Sequence, residues 1–394
     1  MPKKSRTKGR TAPVSPMPIA GPEAFKDFED PNHLHSQAAT LLLIGSHLRG
    51  DVPAMQARIA ATEPSRRAAR PLPPEDINVL GFPRVRVSGD RFRTSELQRL
   101  TGVRSMAAVR PRAEEIRRAP LTIDACAKSF YKDSNSETAA ALLEASLRHP
   151  NQLVRVAAAS SYVDVAADPK PAIRILEDGL SSTNLLTRDV AAYALAHVDP
   201  KNPRLLELLR ARKVPSRRKP SRTSTIIHGT WASGSPWWQP NGDFWTYIHN
   251  NVDPNLYGAA DRFGWTGGYS DAARADAGTT LHDWVQQHNL DGLDLFTHSH
   301  GGNVAMLANH AGTRVGKMVL LSCPVHWPKY TPEFTLTQKV VSIRVHLDLV
   351  ILADRGGQRF SDPRIQEHVL PIWFDHFATH DKANWVKHNI PGML

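Results

Sequence analysis

The chain has 394 residues, of which 41% are hydrophobic and 22% charged, and a net charge of +11. That length suggests two domains, and those proportions belong to a globular protein rather than a fibrous or low-complexity one. The apolar stretch at 38–45 falls far short of the ~20 residues that a membrane-spanning helix needs.

The basic start (Lys3, Lys4, Arg6, Lys8, Arg10) is followed by no apolar segment of signal-peptide type. The two cysteines, Cys126 and Cys323, form neither a disulfide framework nor a metal-binding spacing. The expected setting is cytoplasmic, with export by a route that uses no cleavable signal left open.

Charge divides unevenly along the chain. Residues 1–222 carry 37 Lys and Arg against 23 Asp and Glu, whereas residues 223–394 carry 12 against 15. All nine tryptophans and 13 of the 18 histidines lie in the second segment. Stretches so different argue for separate cores, with the boundary in the basic, Pro-containing linker 213–222. Residues 1–21, rich in Lys, Arg, Pro and Ser, read as a disordered tail that keeps the chain in solution. An anionic membrane surface is the other partner such a tail could meet. Nucleic acid is disfavoured, because no groove-reading or zinc motif accompanies the basic residues.

Residues 22–135 read as mostly helical and carry no assignable function. Segments 36–48 and 94–118 have helical patterns, separated by a Pro-rich break at 71–74 and a short extended piece at 78–87. The pattern sharpens over 136–212. Asn151, Leu153, Arg155, Ala158, Ala159 and Val165 recur as Asn184, Leu186, Arg188, Ala191, Ala192 and Val198, an offset of 33 residues. Each copy is an Ala-rich helix entered from a turn, with a second helix beside it, and the small residues let neighbouring helices approach closely. This resembles HEAT-type helical repeats, which implies a stack that binds a protein partner and carries no chemistry.

The chemistry-bearing signals lie in 223–394. The run from Ser224 to Trp231 is β-branched and broken by His228-Gly229, a buried strand feeding a tight loop. A second strand runs into Thr297-His298-Ser299-His300-Gly301, and an Ala/Leu-rich helix follows at once. A serine between strand and helix sits on a sharp turn that lifts its hydroxyl clear of the sheet. The positions two before and two after must be small, and here they are Thr297 and Gly301, so the first departs from Gly-x-Ser-x-Gly. Another expected strand, 340–347, ends at Asp348. A last strand-like run, 368–374, precedes two histidines, His376 and His380, of which His380 sits just before a capped C-terminal helix. The segment 261–265 is expected to form a further strand, and 327–338 a small flap. Residues 84–88 could lend a strand to what is a short sheet.

On these residues the segment 223–394 resembles the α/β-hydrolase superfamily, in particular its lipase and esterase-like members. The resemblance implies an α/β fold, a compact sheet with helices on both faces, preceded here by the all-α repeat domain. It implies a serine hydrolase acting on carboxylic esters, lipase-, esterase- or phospholipase-like, on a small-molecule or lipid ester substrate. Ser299 is then the nucleophile, Asp348 the acid and His380 the base, with Asp354 and His376 as second choices. Asp375 lies too near the histidines in sequence. The backbone N–H groups of Thr230 and His300 are the implied oxyanion hole. No cofactor is required, and a metal at His298 or His300 is disfavoured because no carboxylate lies at suitable spacing nearby. The alternative is an inactive hydrolase-fold scaffold that binds through its helical repeats. Trp231, Trp237, Trp238, Phe244, Trp245 and Tyr247 serve either as an acyl-pocket wall or as core.

Overall fold

The computed structural model describes residues 21–26, 28–49, 85, 122–166, 168–209 and 223–394. The expected helix at 94–118, the linker 213–222, the tail before Gly21 and the extended pieces at 78–87 and 84–88, Val85 apart, lie outside these residues.

Among the described residues the N-terminal half contains helices α1 (Pro31–Arg49), α2 (Ile123–Lys132), α3 (Ser136–Ser146), α4 (Gln152–Tyr162), α5 (Lys170–Gly179), α6 (Leu185–Val198) and the short α7 (Pro203–Glu207). The 33-residue offset corresponds to two helix starts. Asn151 accepts from the Leu153 and Val154 amides, and Asn184 accepts from the Thr187 amide. Each side chain thus satisfies N–H groups that the first helical turn leaves without partners. Small residues then allow close packing. A Cβ at residue 179 would lie 2.7 Å from the Ala191 Cβ and 2.8 Å from a Val156 methyl. At residue 45 it would meet the Ser161 side chain, whose hydroxyl donates to the Leu41 carbonyl at 2.8 Å.

The C-terminal half is built on five parallel strands whose spatial order is the chain order: β1 (Ser224–Ile227), β2 (Leu293–His298), β3 (Val315–Leu321), β4 (Thr337–His346) and β5 (Ile365–Trp373). Period-two alternation splits their side chains between two faces. Ile227, Leu295, Leu320 and Val340 face one cluster with residues of α9 (Asp271–Gln287) and α10 (Gly301–His310). Ile226, Phe296, Val319 and Val341 face the other, with residues of α8 (Asp243–Asn251) and α12 (Lys382–Lys387). Helices therefore cover both faces, which parallel strands require because neither face is polar. A one-turn helix, α11 (Leu349–Ala353), follows β4.

Residues 261–265 do not form the expected strand. Phe263 and Trp265 are buried, but the backbone beside them makes no ladder. Instead the segment braces the loop after β1: the Trp265 indole donates to the His228 carbonyl at 2.9 Å, and the Gly267 carbonyl accepts from Trp231 N. Its apolar residues were a sound sign of burial and a poor sign of pairing.

The two halves also fail to keep separate cores. One apolar cluster runs from α1, α4 and α6 into Trp231, Leu347, Leu349, Val350, Ala353 and Phe374. Around it Arg355 and Arg49 both pair with Asp164, and the Tyr269 hydroxyl bonds the His197 ring at 2.7 Å. Composition distinguished the halves by surface charge and aromatic content, and neither property governs whether two apolar faces meet.

Among the described residues no helix is long and apolar enough to cross a membrane. Substituting Gly179→Val should destabilise the chain by about 1–3 kcal/mol, because α5, α4 and α6 must part to admit the side chain. A denaturant-unfolding midpoint unchanged from wild type would contradict the packing described.

Candidate active site

Ser299 stands between β2 and α10 with φ 53°, in the left-handed region that non-glycine residues seldom occupy. The turn is held by its amide, which donates to the Leu321 carbonyl of β3 at 2.9 Å. Crowding explains its neighbours. A Cβ on Gly301 would come 2.4 Å from the Ile227 carbonyl oxygen, and one on Gly229 would come 2.7 Å from the Ser299 Cβ. Thr297, the departure from the small-residue pattern, is accommodated because its hydroxyl donates to the Val319 carbonyl at 2.9 Å within the sheet. The Thr230 and His300 amides donate to no backbone carbonyl among the described residues. Thr230 lines the same cavity as Ser299, and His300 follows Ser299 directly.

Asp348 is fully buried at the end of β4 and caps α11. Its Oδ1 accepts from the Val350 and Ile351 amides at 2.9 and 3.1 Å, and its Oδ2 accepts from Nδ1 of His376 at 2.8 Å. Gln358 clamps the Asp348 backbone from both sides. A carboxylate so held fixes the ring and leaves Nε2 as the basic nitrogen.

The sequence preference for His380 over His376 is therefore reversed by the geometry: Asp348 meets His376. The His380 ring stacks on Trp237 at 4.2 Å and 9°, and its Nε2 is buried without a partner. Burial, with His376 alongside, holds His380 down to about 3, so it stays neutral. His298 is also held well below the usual imidazole value by burial, and its Nε2 donates to the His376 carbonyl at 3.2 Å. Burial works against a charge on His376 as well, but the Asp348 carboxylate outweighs it and the pKa is raised. Of three packed imidazoles, only one is tuned to take up a proton. Asp375, set aside in the sequence reading, has its carboxyl raised by burial and binds the Phe377 amide.

Asp354, the second-choice acid, lies elsewhere. It bonds Nε2 of His300 at 3.1 Å and Nε2 of His326 at 2.8 Å. Folding thus brings to His300 the carboxylate that local spacing did not offer.

Ser299, His376, His298, His380, Thr230 and Trp237 line one narrow cavity of about 50 Å³. Another wall comes from α6, through Leu185, Arg188, Asp189 and Tyr193. The Tyr193 hydroxyl lies 3.2 Å from Ser299 Oγ. Burial, reinforced by Asp354, pushes its pKa far up, so it is a neutral hydroxyl. Asp189 pairs with Arg188, and burial raises its carboxyl. Sequence reasoning missed this wall entirely, although a signal existed. At the 33-residue offset, Asp189 replaces Val156 and Tyr193 replaces Ser160, so the second copy departs from the first where it faces the cavity. Of the aromatic cluster, Trp237 lines the cavity, while Trp231, Trp238 and Phe244 are buried in the apolar clusters.

No protein-family model matches the chain, and no curated protein or solved structure matches it either.

Imidazole resonances followed by NMR should show His376 titrating above the ordinary value of about 6.5, with His298 and His380 silent between pH 5 and 8. Asp348→Asn should bring the His376 midpoint down. Titration of His380 in that window would contradict the assignment.

Proposed function

We propose that the chain is a serine hydrolase that cleaves carboxylic esters through an acyl-enzyme. The observation that carries this reading is the convergence, on one cavity, of a serine in a left-handed strand-to-helix turn and an imidazole held by a buried carboxylate. His376 takes the proton of Ser299 Oγ as the oxygen attacks the ester carbonyl, and the Thr230 and His300 amides receive the developing oxyanion. His376 then protonates the departing alcohol, and later deprotonates the water that releases the acyl group. Asp348 holds the ring with Nε2 toward the reaction and stabilises the imidazolium. Each preorganised amide is worth roughly 3–4 kcal/mol of transition-state stabilisation in such a site.

Tyr193 supports this assignment in a further way. Its hydroxyl shares a hydrogen bond with Ser299 Oγ in which either oxygen can donate; with Tyr193 as donor, the nucleophile is held in one rotamer and the serine proton is left for the imidazole. The cavity's small volume and polar wall favour short acyl groups over long alkyl chains.

A fluorophosphonate probe should label wild type and His380→Ala, and should leave Ser299→Ala and His376→Ala unlabelled. With p-nitrophenyl esters, acetate and butyrate should be cleaved ahead of palmitate. Asp348→Asn should lower kcat by about 10³–10⁴-fold. Tyr193→Phe should cost about tenfold, the worth of one hydrogen bond of ~1.4 kcal/mol. Since the base works as neutral imidazole, the rate should rise with pH through a midpoint above the unperturbed value of about 6.5. The reading is overturned if folded wild type resists the probe, or if His376→Ala is labelled as fast as wild type.

A further inference from the structure

Beside the nucleophile, on the same edge of the sheet, lies a second histidine–carboxylate cluster that the hydrolase chemistry does not use. His300 follows the nucleophile turn, His326 lies in the loop after β3, and Asp354 ends α11. One donor atom from each lies within 4.8 Å of the others. His300 and Asp354 are buried, and the His326 side chain is 26% exposed.

The direct partners of the Asp354 carboxylate among the described residues are the two imidazoles, with no backbone amide and no Lys or Arg. Arg274, a cation that acts on it from further away, is committed to Asp271, Tyr330 and the Tyr269 carbonyl. A buried carboxylate is normally paired with a full cation or bound to a metal. Asp348 provides the contrast, since two helix amides and an imidazole of raised pKa satisfy it.

We infer that His300, His326 and Asp354 form a binding site for one divalent transition-metal ion of the zinc class. Two imidazoles and one carboxylate are the donor set that such ions prefer, and three protein ligands leave a fourth position for water. Bonds of about 2.0–2.2 Å require donor spacings of roughly 3.4 Å, so the hydrogen-bonded edges of 3.1 and 2.8 Å open slightly while longer edges, up to 4.8 Å, close, an adjustment that falls to the part-exposed His326 side chain. Gly356 leaves room for it. A Cβ there would sit 3.3 Å from Asp354 Oδ2 and 3.4 Å from His326 Nε2, against the donors themselves. The supporting residue is present too. The Asn303 amide lies 2.8 Å from His300 Nδ1 and is in turn contacted by the Cys323 thiol. Rotated end for end, the amide accepts from Nδ1–H and frees the Nε2 lone pair for the ion.

The test needs no catalytic activity. Full-length protein is stripped with a chelator, loaded with Zn²⁺, desalted and assayed for zinc per chain by mass spectrometry; a parallel sample is loaded with Co²⁺ and its visible spectrum recorded. Wild type and Ser299→Ala should each retain about one equivalent and give the intense band of four-coordinate Co²⁺, whereas His326→Ala should bind at least about tenfold more weakly. Far-UV circular dichroism checks that this variant is folded, and the wild-type cobalt spectrum decides the matter if it is not. Absence of zinc and of the band in wild type, or equal retention by folded His326→Ala, overturns the site. Neither result bears on Ser299, whose probe labelling is read separately.

Discussion

Four successive strands leave the sheet through a residue in the left-handed conformation, and none of the four is glycine: Ser299 after β2 (φ 53°), Ser322 after β3 (φ 44°), Leu347 after β4 (φ 48°) and Phe374 after β5 (φ 71°). Each such residue costs on the order of 1–3 kcal/mol and persists only where its surroundings over-determine it. Three of them donate to a neighbouring strand's carbonyl: Ser299 to Leu321, Ser322 to Ile343, and Phe374 to His346. The ladder is thereby carried one step beyond each strand while the chain reverses. Asp348 follows Leu347 directly and His376 follows Phe374 by two residues, so the same device that raises Ser299 also turns Asp348 and His376 toward a common edge. Sheet register and site geometry are here one constraint.

The helical half is part of that edge. A helix that merely repeated its predecessor would present Val156- and Ser160-like side chains to the cavity, and α6 presents Asp189 and Tyr193 instead. Burying an acid and a phenol in a stack otherwise built on alanine is unfavourable unless each finds a partner. Asp189 finds Arg188, and Tyr193 finds Ser299 across 106 residues of chain. The energetic sense of these substitutions lies in the other half of the molecule. This also explains why the apolar cluster is continuous across the halves, because a wall must be seated on what it encloses.

Much of the site was legible in the sequence, and the reasons are local. The strand–Ser–helix succession marks Ser299 because period two gives way to an Ala-rich helix within three residues. Asp348 is legible because a strand end is visible in the alternation before it. The histidine was misread for an equally local reason. A capped helix after His380 is plain in the sequence and is present in the fold, with Asp381 accepting from Ala383. What decides between the two rings, however, is the left-handed turn at Phe374, and a non-glycine residue gives no warning of positive φ. Tyr193 was beyond reach by any local pattern, since its partner lies in the other half. Only comparison of the two repeat copies exposes it.

The same contrast of local and distant partners separates the two carboxylates that the sequence offered as alternatives. Asp348 and Asp354 bracket the one-turn helix α11, as N-cap and C-cap. An N-cap carboxylate finds free amides immediately downstream, which satisfy it and leave one oxygen for an imidazole. A C-cap carboxylate finds only carbonyls, which repel it, and must draw its stabilisation from elsewhere in the fold. Asp354 draws it from His300 and His326, two loops away in the sheet. Although burial opposes the charge, these rings hold its carboxyl far below the usual range. Such an arrangement owes nothing to what α11 offers and depends on the loops that carry the two rings. Position on the helix, rather than distance from the strand in sequence, thus sets which carboxylate is satisfied by helix amides and which by imidazoles from distant loops.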